Sequence, residues 1–290
     1  MELSEYQTRA VATDQRPGED TTAVLFPIVG LASEVGSLTR HVKKWLRDGD
    51  AYELFASEMA DEIGDILWYC ANVASKLGLS MDKIALANLH KVAGRWPTQT
   101  SQPPLLDEAY PVEEQLPRRL EVRFEETLAD DGKVEVRAFE GGRQLGDRLT
   151  DNSYANDGYR YHDAFHFTYA ALLGWSPVVR RFLNRRRDSV PYVREVEDAG
   201  RAMVIEEAIA AFAFDYAADV GYLADVEHVD FSLLTTIRRL TAGLEVRDRT
   251  ASQWERAILR SFEIWRALRD GHGGVLRLDL QIGTIEYSSA

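Results

Sequence analysis

Acidic side chains at helical spacing dominate the stretch EMADEIGDILWYCAN, residues 58–72, and constrain what this chain can fold into. In a helix, Glu58, Glu62 and Asp65 stand at i, i+4 and i+7, so their carboxylates share one face. Residues 48–75 contain seven acidic residues and no Lys or Arg. Carboxylates on one helix face repel each other unless something neutralises them.

Two interpretations of this acidic face remain open. A hard divalent cation with oxygen ligands is the simplest partner for several carboxylates that lack basic neighbours. The alternative is a solvated acidic first turn, which the positive end of the helix dipole stabilises without any ion. The spacing alone favours neither interpretation.

Composition narrows the class of protein. The chain has 290 residues, 45% of them apolar, and a formal net charge of -13. That charge argues against binding to nucleic acid or to an anionic membrane, since both need basic surfaces. Cys70 is the one cysteine, so an intrachain disulfide is excluded. The N-terminus has no apolar signal region and no run of 18 apolar residues follows, so we expect a cytoplasmic protein.

Apolar residues recurring at about 3.6-residue intervals predict helices in two regions. In the first region the predicted helices are residues 5–14, a helix from Thr21 or Thr22 to about Lys44, the acidic helix, and a helix capped by Ser80. In the second region they lie near 157–173, 195–221, 231–243 and 250–270. Five of the nine prolines fall between Pro97 and Pro117, so we predict domains at 1–96 and 118–290 joined by a linker at 97–117.

A small antiparallel sheet is predicted inside the second domain. LEVRFEETL and VEVRAF alternate apolar and polar residues around Asp131-Gly132, which is a strong hairpin signal. The C-terminal VLRLDLQIGTIEYS alternates again around Ile282-Gly283, and an isolated hairpin is marginally stable. We therefore predict strands near 119–139 and 275–287 in one sheet, within a mainly α protein.

A second set of candidate ligands follows the sheet strands. His162-Asp163-x-x-His166 places two histidines at i and i+4, a spacing at which both can bind one metal ion. Glu206 and Glu207, on a later predicted helix, can complete the ligand set. These five residues form a candidate second site.

Structural histidines are the default alternative for this segment, because the helix around them is rich in aromatic residues. A hydrolase centre of the histidine–aspartate type is disfavoured. Such a centre needs further distant ligands, and His228 and His272 are the histidines that remain downstream.

Three short motifs in the first third of the chain resemble the MazG-like nucleotide pyrophosphohydrolases, which carry Glu-x-x-Glu on one helix and Glu-x-x-Asp on the next. The motifs are Leu31-Ala-Ser-Glu34-Val-Gly-Ser37-Leu38, Asp61-Glu62-Ile-Gly-Asp65-Ile-Leu-Trp-Tyr69, and Asn88-Leu-His-Lys91 followed by Arg95. This resemblance spans about residues 20–96. The second half, from about Gln115 to the Glu206-Glu207 helix, resembles the domain found C-terminal to some MazG-like domains.

The resemblance implies an all-α helical bundle for the first domain and a MazG-type C-terminal domain for the rest. It implies Mg²⁺-dependent hydrolysis of nucleoside triphosphates to monophosphate and pyrophosphate, with Mn²⁺ as an alternative ion, in nucleotide-pool housekeeping. It also implies a homodimer, unless the second half of the chain completes the helical bundle within one chain. Glu34, Glu62 and Asp65 would be the metal ligands, and Glu58 a further catalytic carboxylate.

Basic and amide side chains are the expected substrate contacts. For the triphosphate these are Lys43, Lys44, Lys91 and Arg95, and for base or phosphate Asn88. For the lysines at 43 and 44 the alternative is an interaction with the C-terminal end of their own helix. Trp68 and Tyr69 are expected to pack in the core rather than stack on a base.

Ser37 departs from the family pattern, since it stands where the family usually has the second Glu of its first motif. A serine hydroxyl binds metal weakly and does not act as a general base as a carboxylate does. Either another carboxylate takes this role, namely Glu58, Asp61 or one from the second half of the chain, or activity is lowered or lost. The competing hypothesis is therefore a non-catalytic module that binds nucleotides or a partner protein through a degenerate site.

Overall fold

The computed structural model describes residues 1–95, 102–130 and 132–289, and the chain divides into two compact units, Met1–Ala93 and Gly94–Ala290. The predicted mainly α fold with one small antiparallel sheet is confirmed. The predicted linker at 97–117 lies partly outside the described residues. Its described part includes Leu116, which is buried in the apolar core of the second unit.

Four helices account for most of the first unit: α1 (Leu3–Val11), α2 (Thr21–Asp48), α3 (Phe55–Lys76) and α4 (Met81–Arg95). The Asp20 carboxylate caps α2 by accepting hydrogen bonds from the backbone N–H groups of Thr22 and Ala23. Helices α2 and α3 pack along each other, and this pairing brings the acidic face of α3 next to α2.

Apolar side chains of the first unit are divided unevenly between core and surface. Its buried apolar cluster consists of Ala10, Ala71, Ala74 and Met81. Large apolar side chains are exposed on α2, α3 and α4, among them Leu25, Val29, Leu46, Ile63, Leu86 and Leu89. Apolar surface of this extent on one small unit is typical of an interaction surface.

Helix α2 and the short 3₁₀ turn that follows it, Gly49–Ala51, together form a helical segment from Thr21 to Ala51. This segment is long and apolar enough, by length and composition alone, to cross a membrane. The sequence contains no uninterrupted run of 18 apolar residues, because charged residues such as Glu34 interrupt this helix, whereas mean hydropathy over the helix tolerates them. Helices of soluble proteins meet the same criterion, so this finding is weak support for a membrane span.

A five-stranded antiparallel sheet forms one side of the second unit, in the order β3-β2-β1-β4-β5. Its strands are β1 (Arg119–Leu128), β2 (Val134–Glu140), β3 (Arg143–Leu149), β4 (Gly273–Asp279) and β5 (Thr284–Ser288). The predicted β1–β2 hairpin and the pairing of the C-terminal strands with it are confirmed. The third strand was missed, because its sequence RQLGDRL follows a glycine pair and lacks alternation.

Within the described residues of the second unit, six further α-helices follow: α5 (Asp163–Leu173), α6 (Pro177–Phe182), α7 (Pro191–Val196), α8 (Gly200–Ala218), α9 (Phe231–Leu240) and α10 (Ala251–Asp270). Every residue of α5 is buried, between the sheet, α10 and α8. A helix that is enclosed on all sides forms the centre of a core, so the polar side chains on α5 need an explanation.

Helix α5 starts later than the predicted residue 157. Gly158 adopts a left-handed conformation, with φ of 84°, and an added Cβ there would meet Trp265 at 3.0 Å. The chain therefore turns at this glycine before the helix begins.

Candidate functional site

Three carboxylates converge where α2 faces α3. Glu34 from α2 and Glu62 and Asp65 from α3 each offer an oxygen within 4.8 Å of the other two. Glu34 and Glu62 are partly buried, whereas Asp65 is exposed. Three oxygen ligands at this separation form a group that can hold a hard divalent cation.

The raised pKa of Glu34 shows that the three carboxylates of this acidic cluster repel one another. The pKa of Glu34 is raised by partial burial, then by its hydrogen bond with Glu62 and the negative charges of Glu62 and Asp65. Arg40 approaches Glu62 to 3.8 Å, but most of its side chain is in solvent. A divalent cation in the cluster would replace repulsion with attraction, and the residues present therefore fit such an ion.

His41 and Tyr52 support the cluster, and sequence reasoning missed both roles. The buried His41 places its Nε2 3.2 Å from Oε1 of Glu62, and its Nδ1 2.6 Å from the hydroxyl of Tyr52. A hydrogen bond at Nδ1 orients the ring, and the ring in turn orients the Glu62 carboxylate. Oε2 of Glu58 lies 4.0 Å from the same Nε2, so Glu58 borders the cluster.

The predicted substrate contacts are placed more loosely. Lys43 and Lys44 are exposed near the C-terminal end of α2, and the Lys44 ammonium lies over the Tyr52 ring at 3.8 Å. On α4, Asn88 and Lys91 are exposed.

Two further residues of the family motifs complete the placement. Arg95 is the last residue of α4, and by packing it belongs to the second unit. Ser37 lies one turn after Glu34 on α2 and is half-buried, so a longer side chain at this position would extend along the same helix face.

Trp68 and Tyr69 have structural contacts in the first unit. Tyr69 packs against Gly30 so closely that an added Cβ on Gly30 would come within 2.3 Å of its ring. The indole N–H of Trp68 donates a hydrogen bond to Thr13 Oγ1 at 2.8 Å. These contacts support the core-packing interpretation over stacking on a base.

A second cluster lies in the second unit, where α5 faces α8. His162, His166 and Glu207 each offer a ligand atom within 4.8 Å of the other two. Oε2 of Glu207 is 3.3 Å from Nε2 of His166 and 3.7 Å from Nε2 of His162. Asp163 is fully buried, with Oδ1 3.6 Å from Nε2 of His162.

Glu206 lies in the protein interior, on the Nδ1 side of the His166 ring, whereas Glu207 lies on the Nε2 side. Its carboxylate is fully buried and accepts hydrogen bonds from His166 Nδ1, the Ser176 hydroxyl and the Val178 N–H, at 2.9, 2.6 and 2.9 Å. Burial lowers the pKa of His166, but the charge of Glu206 and its hydrogen bond, followed by those of Glu207, raise that pKa well above its usual value.

Comparison with known proteins agrees with the motifs. The family model of the MazG nucleotide pyrophosphohydrolase domain matches residues 27–100, and that of the MazG C-terminal domain matches residues 101–290. The chain belongs to the MazG family, with the pyrophosphohydrolase domain followed by the C-terminal domain. The Gene 37 protein of Mycobacterium phage L5 is 30% identical over 101 residues, which cover 33% of this chain and 89% of that protein. No solved structure matches the chain significantly.

Proposed function

We propose that this protein is a Mg²⁺-dependent nucleoside triphosphate pyrophosphohydrolase whose reaction centre is the acidic cluster. The observation that carries the proposal is the convergence of Glu34, Glu62 and Asp65 from two helices, at a separation that raises the pKa of Glu34. Membership of the MazG family supports nucleotide pyrophosphohydrolysis in general. Mn²⁺ is expected to substitute for Mg²⁺, because both ions accept oxygen ligands.

The chain's own residues have separate tasks in this reaction. Glu34, Glu62 and Asp65 would hold the cation, which when bound neutralises charge on the phosphate oxygens. His41 holds Glu62 in place, and Glu58 is the carboxylate available to orient the attacking water and accept its proton. The water oxygen forms a bond to phosphorus as the bond to the pyrophosphate oxygen breaks, which yields monophosphate and pyrophosphate.

Substrate binding is assigned to basic and amide residues on α2 and α4. Lys43, Lys44, Lys91 and Arg95 are proposed to contact the triphosphate, and Asn88 the base or a phosphate. The proposal places the enzyme in the cytoplasm, in maintenance of the nucleotide pool, with no nucleic-acid or membrane partner. The net charge of -13 supports these exclusions.

A homodimer is part of the proposal. The exposed apolar side chains of α2, α3 and α4 offer a surface that a second copy of the first unit can cover. The same explanation covers the apolar composition of α2, without a membrane. Val29, with 67% of its surface exposed, is one of these side chains.

Ser37 favours one alternative, a nucleotide-binding module that does not turn substrate over. A site with Ser37 in place of a second glutamate retains three carboxylates for a cation but has one group fewer for proton transfer. Binding of Mg²⁺ and nucleotide without product would support that module.

Product analysis tests the proposal. Wild type, Glu62→Gln and the exposed control Glu53→Gln would each be incubated with canonical and damaged nucleoside triphosphates and Mg²⁺ or Mn²⁺, and products separated by ion-exchange chromatography. We expect monophosphate and pyrophosphate from wild type and the control, with a loss of about 100-fold or more in Glu62→Gln. Diphosphate and orthophosphate, or equal rates in Glu62→Gln, would contradict the proposal.

A further inference from the structure

The histidine cluster of the second unit has the arrangement of a metal centre, and it differs in chemistry from the acidic cluster. We propose that His162, His166 and Glu207 bind one divalent transition-metal ion of the zinc class. Two imidazole nitrogens and one carboxylate oxygen suit Zn²⁺ and its neighbours, whereas Mg²⁺ and Ca²⁺ prefer oxygen ligands.

The hydrogen bonds of the two histidines determine which nitrogen is available to a metal. His166 Nδ1 faces the Glu206 carboxylate at 2.9 Å, and His162 Nδ1 faces the Tyr159 carbonyl oxygen at 2.9 Å. Both partners accept hydrogen bonds, so each Nδ1 carries a proton. A metal ion binds the neutral ring, so it would displace the Nε2 proton that His166 otherwise shares with Glu207. Each Nε2 would then offer a lone pair close to Glu207 Oε2, at 3.3 and 3.7 Å.

The separations of the ligand atoms fit a tetrahedral ion. Ligands about 2.05 Å from zinc are about 3.4 Å from each other in that geometry. The observed separations from Glu207 Oε2 are 3.3 Å to His166 Nε2 and 3.7 Å to His162 Nε2. The lone pairs of these two nitrogens and of the Glu207 oxygen repel one another unless protons or a metal ion lie between them. A single metal ion can bind all three atoms.

The surroundings hold the ligands in place before any ion binds. Glu206 is anchored by Ser176 and Val178 and fixes the ring of His166. The ring of Tyr159 stacks on that of His162, with centroids 4.3 Å apart and planes 7° from parallel. A carboxylate or carbonyl behind each ligating histidine is the usual outer support of protein metal sites.

An ion has a route into the centre. The Glu207 side chain is 46% exposed, whereas those of His162 and His166 are 9% and 0% exposed. Metal would therefore enter from the Glu207 side. Asp163, fully buried with Oδ1 3.6 Å from His162 Nε2, borders the cluster beside His162.

Cobalt titration of the full-length protein tests the proposal. Chelator-treated protein would be titrated with Co²⁺, whose visible absorption reports tetrahedral coordination, and bound Co²⁺ would then be displaced with Zn²⁺. We expect one equivalent per chain, with affinity at least about 10-fold weaker in Glu207→Gln and in His162→Gln. Because Glu207 is half-exposed, Glu207→Gln is expected to retain the fold, which circular dichroism checks.

Two controls separate this centre from other sites. His228→Gln removes an exposed histidine that pairs with Glu255 at 3.4 Å, and Glu195→Gln removes an exposed carboxylate of the second unit. Both should bind Co²⁺ as wild type does. The proposal is overturned if wild type binds no stoichiometric Co²⁺ or Zn²⁺, or if either ligand variant binds as tightly as wild type. The titration measures no turnover, so its failure leaves the proposed pyrophosphohydrolase untouched.

Discussion

The two clusters differ in their ligand atoms and in how far their own unit encloses them. The acidic cluster offers three carboxylates, one of them exposed, on two helices of a unit with a small apolar core. The histidine cluster offers two nitrogens and one oxygen: His166 lies on the buried helix α5, His162 directly precedes that helix, and Glu207 lies on α8. An open oxygen site suits a weakly held ion that arrives with a phosphorylated substrate, whereas an enclosed nitrogen site suits a resident transition metal.

The two units also differ in how completely they bury their own large apolar side chains. The second unit buries large aromatic side chains such as Trp175, Trp265 and Phe262, while the first exposes Val29 and Leu46. The proposed homodimer would cover this apolar surface of the first unit with a second copy. Each prediction below changes one side of this contrast.

The largest effect is expected from Val29→Glu on α2. A charge in an apolar dimer interface costs about 3 kcal/mol or more, so association should weaken by about 100-fold. The matched control is Leu128→Glu in the second unit, where Leu128 is 73% exposed and Val29 is 67% exposed. Light scattering after size-exclusion chromatography should show monomers for the first variant and dimers for the control. Equal association of both would refute the assigned interface.

His41→Gln should weaken the acidic cluster without removing a ligand. His41 orients Glu62 from 3.2 Å and is itself fixed by Tyr52. Loss of such a support costs about 10-fold or more in metal affinity, so the Mg²⁺ concentration for half-maximal turnover should rise about 10-fold. His228→Gln is the control. A fall in maximal turnover with an unchanged Mg²⁺ requirement would show that His41 does not act through the metal ligands.

Ser37→Glu tests whether the open site is merely weakened. A carboxylate one turn from Glu34 restores the family pattern, and it should raise kcat/KM several-fold. A positioned general base contributes about 100-fold or more to the rate. The gain in kcat/KM should be smaller than this, because Glu58 already borders the cluster and is proposed to accept the proton. A fall in kcat/KM would indicate that the site has been rebuilt around the serine.

The smallest effect concerns Glu197 in the second unit. Partial burial, and then the charge of Glu245, raise the pKa of Glu197 to about 6. The hydrogen bond that Glu197 accepts from the Glu245 backbone N–H lowers this pKa, but does not offset the rise. A raised carboxyl pKa stabilises the fold below the unfolded value of 4.5, and this contribution is lost as the pH rises through about 6. Glu197→Gln should therefore gain stability relative to wild type over this window, reaching about 1 kcal/mol after allowance for solvent screening.

Denaturant unfolding at several pH values measures this gain. The exposed neighbour Glu195 provides the control variant Glu195→Gln, which should follow wild type throughout. A stability difference that stays constant between pH 4 and pH 7 would contradict the expectation for Glu197.

Local spacing predicted those parts of both clusters that lie on one helix. The i+3 step from Glu62 to Asp65 and the i+4 step from His162 to His166 follow from helix geometry alone. Glu34 came from the family resemblance, because nothing local in the sequence reveals that α2 packs beside α3.

Supporting residues were harder to predict. His41 lies within the basic run 40–44, which resembles an ordinary helix end, and its contact with Tyr52 depends on the turn between α2 and α3. The role of Glu206 as an anchor depends on the start of α6, where Ser176 and Val178 meet α8. Strand β3 forms because β2 offers a free edge, a tertiary effect that its own sequence does not encode.

The most direct test of the central claim is the metal requirement of pyrophosphate release. Chelator-treated protein would receive either millimolar Mg²⁺ or one equivalent of Zn²⁺ per chain, and pyrophosphate formed from a nucleoside triphosphate would be measured. If the acidic cluster is the reaction centre, Mg²⁺ alone restores most of the release and one equivalent of Zn²⁺ alone restores none. Release restored by Zn²⁺ alone would assign the reaction to the histidine cluster and contradict the account.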